Sequence, residues 1–158
     1  MTRPRLTTRF PTSLLVVLGL VILGISVYWP AATSSALIDD EWGRVAEIAF
    51  GGPACPSYDN IFMRPLVGCY IVTLHTLFGN AFWAYHAVSL LWIVLSAVLL
   101  YFILNTIIPQ HGPVSIASAA LFLVYPAVFA RLFFERGSYE LSLLLFLAAV
   151  LCWLSWHR

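Results

Sequence analysis

The stretch AFWAYHAVSLLWIVLSAVLLYFILNTII, from Ala81 to Ile108, decides the fold because it contains no Asp, Glu, Lys or Arg over its whole length. A helix of about 20 predominantly apolar residues is long enough to cross the hydrocarbon core of a bilayer. The stretch therefore predicts a transmembrane helix.

Three more apolar segments lie on either side of this stretch. The first runs from Phe10 to Ala32, the third from Val114 to Ala130, and the fourth has its apolar run from Leu141 to Trp156 within a helix predicted over residues 138–156. The third and fourth are short, so flanking side chains must extend them to the bilayer surface. We predict an all-α fold: a single membrane domain over residues 1–158, with about four transmembrane helices.

Composition supports a membrane protein and excludes several other classes. Of the 158 residues 61% are hydrophobic and 9% are charged, and the mean hydropathy is +0.92. Soluble domains have about 25% charged residues, so this chain has too few charges to cover a soluble surface. A cytosolic enzyme, a nucleic-acid-binding protein and a disordered chain are therefore excluded, and the net charge of +1 gives no attraction towards nucleic acid.

Charge placement predicts the orientation. Arg3, Arg5 and Arg9 precede the first segment, and basic residues favour the cytoplasmic side. Four crossings then return the C-terminus, with Arg158, to the cytoplasm. We expect an integral protein of a bacterial inner membrane. An alternative is that the first segment is a signal peptide, cleaved near Ser34–Ala36.

Residues 33–80 would then form an extracytoplasmic loop that contains short helices. The part from Ser34 to Phe50 has helical spacing and ends at a Gly-Gly-Pro turn. Leu66 to Phe78 is apolar but too short to span, so we predict a helix at the membrane interface. Gly79 and Asn80 end it.

Two cysteines, Cys55 and Cys69, belong to this loop. An oxidising compartment would allow a disulfide between them, and the alternative is two free buried thiols. Cys152 lies within the fourth apolar segment.

The acidic triplet Asp39-Asp40-Glu41 follows the first segment closely. Adjacent carboxylates repel each other, which raises the pKa of at least one of them when water is excluded. Such a group can act as a general base or bind a divalent cation through oxygen. The alternative is a solvated acidic turn without a function.

Two arginines are candidate ligands for an anionic substrate. Arg64 precedes Pro65 at the start of the predicted interfacial helix, and its planar guanidinium suits a phosphate. Arg136 lies four residues before Glu140, so on a helix the two would form an ion pair, or Arg136 would face the substrate. A snorkelling Arg64 and a structural ion pair are the alternatives.

Several motifs, in this order, resemble the N-terminal part of membrane-embedded GT-C glycosyltransferases that use polyprenyl-phosphate sugars, such as the protein O-mannosyltransferases. They are Asp39-Asp40 after the first helix, Arg64-Pro65-Leu66, Tyr85-His86 and the run AALFLVYP from Ala119 to Pro126. The resemblance covers nearly the whole chain. It implies that Asp39 or Asp40 is the catalytic base or a metal ligand, with Glu41 beside it.

The chain departs from the family pattern in two ways. Ala130 stands where the family often has an acid after Pro126, and family members have many more crossings than the four predicted here. The resemblance thus implies the N-terminal module of a split or truncated glycosyltransferase. Its expected partners are the lipid bilayer, other membrane subunits and a polyprenyl-phosphate sugar.

The alternative function is a non-catalytic small subunit of a larger membrane complex, for example a photosynthetic or respiratory assembly. Short helices rich in Leu and aromatic residues suit packing against other helices or pigments. His75 or His86 would then be a candidate pigment ligand, although a lone His in an apolar segment more often packs and forms hydrogen bonds.

Overall fold

A computed structural model describes residues 10–34, 65–125 and 137–157 of the chain. These ranges contain five helices and no strand, which confirms the all-α class for this part of the protein. The helices are α1 (Phe10–Ala32), α2 (Pro65–Phe78), α3 (Phe82–Ile107), α4 (Gly112–Val124) and α5 (Gly137–Trp156).

Three of these helices, α1, α3 and α5, are long and apolar enough to cross a membrane. The other two, α2 and α4, are apolar but shorter. The chain is therefore compatible with an integral membrane protein. The number of crossings and the interfacial position of α2 stay predictions.

Helix α4 is shorter than the predicted third segment, which extended to Ala130. It ends at Val124, because Tyr125 has an extended backbone (φ −62°, ψ 125°) and is followed by Pro126. A residue before proline is driven out of the helical region by the proline ring. Residues 126–130 lie outside the described part of the chain.

A tight corner joins α2 to α3. Gly79 has φ +55°, the left-handed conformation that favours glycine, and its N–H donates to the carbonyl of His75 at 2.8 Å. The Tyr85 hydroxyl on α3 donates to the Gly79 carbonyl at 2.6 Å. The predicted helix end at Gly79 therefore coincides with a turn that α3 itself holds in place.

Helix α3 is the centre of the bundle and packs against the other four helices. In its most apolar window 44% of residues are buried, whereas the corresponding share is 17% in α1 and in α5. The main core combines residues of α1, α3 and α4: Leu20, Tyr28, Ala32, Leu90, Ile93, Val94, Ala97, Tyr101, Ala119 and Leu123. A smaller cluster, Ile71, Leu74 and Tyr85, holds α2 against α3.

The closest approach within the main core is the apolar joint, which we define as Gly24 of α1 with Val94 of α3 and Leu123 of α4. A Cβ atom on Gly24 would lie 2.6 Å from Val94 Cγ2 and 3.7 Å from Leu123 Cδ2. A Cβ on Gly24 would therefore collide with Val94 but not with Leu123, so glycine allows α1 and α3 to approach this closely. The hydroxyl of Tyr28 adds a polar contact by donating to the Leu123 carbonyl, which belongs to the last turn of α4.

Connections and contacts give the relative directions of α3, α4 and α5. A short link, residues 108–111, joins α3 to α4, so the two run antiparallel. Gly137 lies beside Ser89, and the contact between α3 and α5 is the most extensive in the bundle. Ser89 is only about two turns from the start of α3, so an antiparallel α5 would extend past α3 and lose contact with it. Helix α5 therefore runs in the same direction as α3. The start of α5 and the end of α4 therefore share the end of the bundle where α3 begins.

Candidate functional site

The five residues that the sequence suggests for catalysis or substrate binding lie outside the described part of the chain. They are Asp39, Asp40, Glu41, Arg64 and Arg136. Two of them are adjacent to described helices, since Arg64 immediately precedes α2 and Arg136 immediately precedes α5. Helices α2 and α5 therefore provide the described side chains that would surround a site at these two arginines.

Helices α2 and α5 meet at the polar joint, which we define as Tyr70, Ser89, Trp92 and Gly137. A Cβ atom on Gly137 would lie 2.5 Å from Tyr70 Oη and 2.7 Å from Ser89 Oγ. Both distances are too short for the methyl group that an alanine would add at this position. Glycine at the start of α5 is therefore what allows a tyrosine of α2 and a serine of α3 to touch the same backbone.

Hydrogen bonds hold the side chains of the polar joint in place. Trp92 Nε1 donates to Tyr70 Oη at 3.3 Å, and Ser89 Oγ donates to the Tyr85 carbonyl at 3.2 Å. Tyr70 and Ser89 share a further hydrogen bond. Trp92 can only donate, so the Tyr70 oxygen accepts this hydrogen bond.

Burial governs the ionisation of the Tyr70 hydroxyl. Desolvation raises the pKa of Tyr70 above its ordinary value of 10.0, and the hydrogen bonds from Trp92 and Ser89 oppose this rise without cancelling it. Tyr70 therefore remains a neutral donor at physiological pH. It can hold helix positions but cannot act as a base.

A second polar group lies at the corner between α2 and α3. His75 Nδ1 is 3.2 Å from Tyr85 Oη, and that hydroxyl donates its proton to Gly79. The Tyr85 oxygen can therefore accept a hydrogen bond from His75 Nδ1. The rings of Phe78 and Phe82 pack around Tyr85 at centroid distances of 6.4 and 5.9 Å.

Two ionisable residues in the apolar helices are deeply buried. Glu140, in the first turn of α5, and His86, near the start of α3, are each 4% exposed. Glu140 is the only acidic residue in the described part of the chain. Carboxylates inside membrane helices are rare and usually mark a functional site. The sequence suggested Glu140 only as an ion-pair partner of Arg136, and its burial was not predicted.

The two described cysteines differ in their bonding. Cys69 on α2 is disulfide-bonded, and Cys152 on α5 is free and exposed. The third cysteine of the chain, Cys55, lies outside the described residues. Cys69 is thus bonded, one of the two alternatives that the sequence left open, while the side of the membrane on which α2 lies stays a prediction.

The residues described by the structure contain no group of three or more His, Cys, Asp or Glu side chains that could hold a metal ion. The predicted divalent cation belongs to the acidic triplet, which lies outside these residues. The polar side chains described at the polar joint and at the corner between α2 and α3 are thus hydroxyl, indole and imidazole groups, together with the buried carboxylate of Glu140.

Comparison with known proteins gives no assignment. No family model, curated protein or solved structure matches this chain. The resemblance to GT-C glycosyltransferases therefore stays a prediction that rests on the motifs alone.

Proposed function

We propose that this chain is a membrane module that takes part in sugar transfer from a polyprenyl-phosphate donor to an acceptor hydroxyl on the extracytoplasmic side. The observation that supports this most is the polar joint between α2 and α5. The two helices that begin directly after Arg64 and Arg136 meet there, through Tyr70 and Gly137. The joint constrains how far apart the two helix starts can be.

The distribution of charge along the chain supports a reaction site at the end of the bundle that contains the polar joint. All seven acidic residues lie between Asp39 and Glu140, together with Arg44, Arg64, Arg131 and Arg136. The remaining arginines are near the two termini. A reaction between a charged lipid headgroup and a hydroxyl needs both a base and cations, and the segment between the first and last helices supplies both.

The proposed step is a substitution at the anomeric carbon of the donor sugar. Asp39 or Asp40 takes the proton of the acceptor hydroxyl as its oxygen bonds to that carbon. The bond from the carbon to the phosphate oxygen breaks, and its electron pair leaves with the lipid phosphate. Arg64 and Arg136 neutralise the phosphate, while Glu41 contributes to substrate binding or holds a divalent cation with its neighbours.

Asparagine substitutions test this proposal. Asp39→Asn and Asp40→Asn keep the side-chain shape and remove the charge, so one of them should abolish transfer to endogenous acceptors in membranes that contain the chain and its companions. Glu47→Gln, a change of the same kind in the same segment, is the matched control and should leave transfer intact. Transfer that persists in both aspartate variants would refute the catalytic assignment.

A second proposal, a non-catalytic subunit of a photosynthetic or respiratory assembly, is supported by the unburied faces of α1 and α5. Large apolar side chains on these helices are exposed, among them Leu15, Ile22, Leu145 and Phe146. Purification in a mild detergent distinguishes the proposals. A subunit should co-purify with a defined complex whether or not Asp39 and Asp40 are changed, and no sugar transfer should depend on them.

A further inference from the structure

The layer that α3 and α5 share is thinner than α3 is long. Gly137 places the start of α5 at the level of Ser89 on α3. Val94 and Leu123 both contact the position of a Cβ on Gly24, so α4 ends at the level of Val94, about 8 Å inside this layer. From Ser89 to Ile107, at 1.5 Å per residue, the shared layer is about 27 Å thick.

This thickness is close to that of the hydrocarbon core, which is about 30 Å. Exposed aromatic side chains mark both surfaces of the layer. Tyr125 and Tyr139 lie near the Ser89 level, and Trp153 and Trp156 lie near the other end of α5. Rings that combine an apolar body with a polar atom prefer the boundary between hydrocarbon and headgroups.

Helix α3 continues beyond the layer. Its first seven residues, Phe82 to Val88, extend about 10 Å past the Ser89 level, and they carry α2 through the corner at Gly79. The exposed side chains on α2 are mixed, with Thr73 and Thr76 beside Leu77 and Phe78. Those on α3 within the layer, Leu91, Leu95 and Ile107, are all apolar.

We propose that the hydrocarbon core of the bilayer covers only this shared layer, and that α2 with the first two turns of α3 stands in the headgroup region. The lipid boundary then passes through the polar joint. Tyr70, Ser89 and Gly137 lie at the edge of the hydrocarbon, where it meets the headgroups, and Glu140 lies about one turn below them, just inside the hydrocarbon. The inference depends on helix geometry and does not depend on sugar transfer.

Two positions on the same helix give a matched test. Trp83 and Leu91 are 52% and 48% exposed, and they are about 12 Å apart along α3. Trp83→Cys and Leu91→Cys are made separately in a Cys152→Ser background. A charged thiol reagent is then applied to membrane fragments that are open on both sides, so that orientation does not affect the result.

We expect Trp83→Cys to react in membranes at least tenfold faster than Leu91→Cys, and both to react at similar rates once detergent removes the lipid. Equal protection of the two in membranes would mean that the start of α3 is also covered, and equal reaction would mean that lipid does not cover the layer. Either result overturns the proposal. Thr76→Cys and Leu145→Cys repeat the comparison if a variant at the first pair does not accumulate.

Discussion

Two glycines, Gly24 and Gly137, allow helices of this bundle to approach closely, and the atoms around them differ in chemistry. At the apolar joint the atom that would collide with a Cβ on Gly24 is a methyl carbon of Val94, whereas at the polar joint the colliding atoms are the oxygens of Tyr70 and Ser89. A methyl group can be removed or moved at the cost of packing alone. Displacing the oxygens also breaks their hydrogen bonds, so the polar joint is the more demanding of the two.

The largest effect is expected for Gly137→Ala. The added methyl displaces Tyr70 and Ser89, which should lower the free energy of unfolding by about 2–4 kcal/mol from overpacking and lost hydrogen bonds. Detergent-titrated unfolding measures the change. Gly112→Ala is the matched control, because nothing lies within 4 Å of its Cβ position. A loss at Gly137 no larger than that at Gly112 would contradict the geometry of the polar joint.

A smaller effect is expected for Gly24→Ala, about 1–3 kcal/mol, because the collision is with one methyl group of Val94. The double variant Gly24→Ala/Val94→Ala should recover much of the loss. Gly19→Ala on the same helix has open space around its Cβ position and should be close to neutral. If Val94→Ala does not rescue Gly24→Ala, the apolar joint is not limited by volume, and the contrast with the polar joint fails.

Tyr85→Phe tests the corner next to the polar joint. It removes the hydroxyl that donates to Gly79 and accepts from His75, so we expect a loss of about 1–2 kcal/mol. Limited proteolysis should also become faster between α2 and α3, since the corner loses its support. Tyr125→Phe, at an exposed position, is the control, and an equal response in both variants would argue against a role for the Tyr85 hydroxyl.

The smallest effects come from a pair of serines on α3. Ser89 Oγ is hydrogen-bonded, whereas Ser96 Oγ is buried without a hydrogen-bond partner in the described part of the chain. Ser89→Ala should therefore destabilise by about 1 kcal/mol, and Ser96→Ala should be neutral or slightly stabilising. The same detergent titration compares them. A larger loss for Ser96→Ala would show that its hydroxyl has a partner beyond the described residues.

Sequence patterns predict the helices of this protein but not how they meet. The apolar stretch from Ala81 to Ile108 predicts α3, and Gly79 predicts the end of α2, because both depend on local chemistry. Apolar residues cover every side of α3, so no face of it identifies its neighbours. The role of Gly137 depends on Tyr70, which is distant in sequence, and only the folded chain brings the two together.

Less of the candidate site than of the fold could be predicted from the sequence. Family resemblance and charge suggest Asp39, Asp40 and the arginines, and these residues lie outside the described part of the chain. The burial of Glu140 escaped prediction because its spacing from Arg136 also fits an exposed ion pair. An acid in the first turn of a long apolar helix was the available signal.

We expect the end of the bundle around the polar joint to bind a polyprenyl phosphate. Photo-crosslinking tests it most directly, because it requires binding but no turnover. A photoreactive polyprenyl phosphate is added to the protein in native-like membranes, and the modified peptides are mapped by mass spectrometry.

We expect crosslinks in peptides that flank the starts of α2 and α5. A polyprenyl-phosphate sugar should compete for these crosslinks, and Arg64→Gln or Arg136→Gln should reduce them at least fivefold, while Arg44→Gln should leave them unchanged. Crosslinks that no competitor displaces, or that concentrate near Trp153 and Trp156 at the opposite end of α5, would contradict the claim.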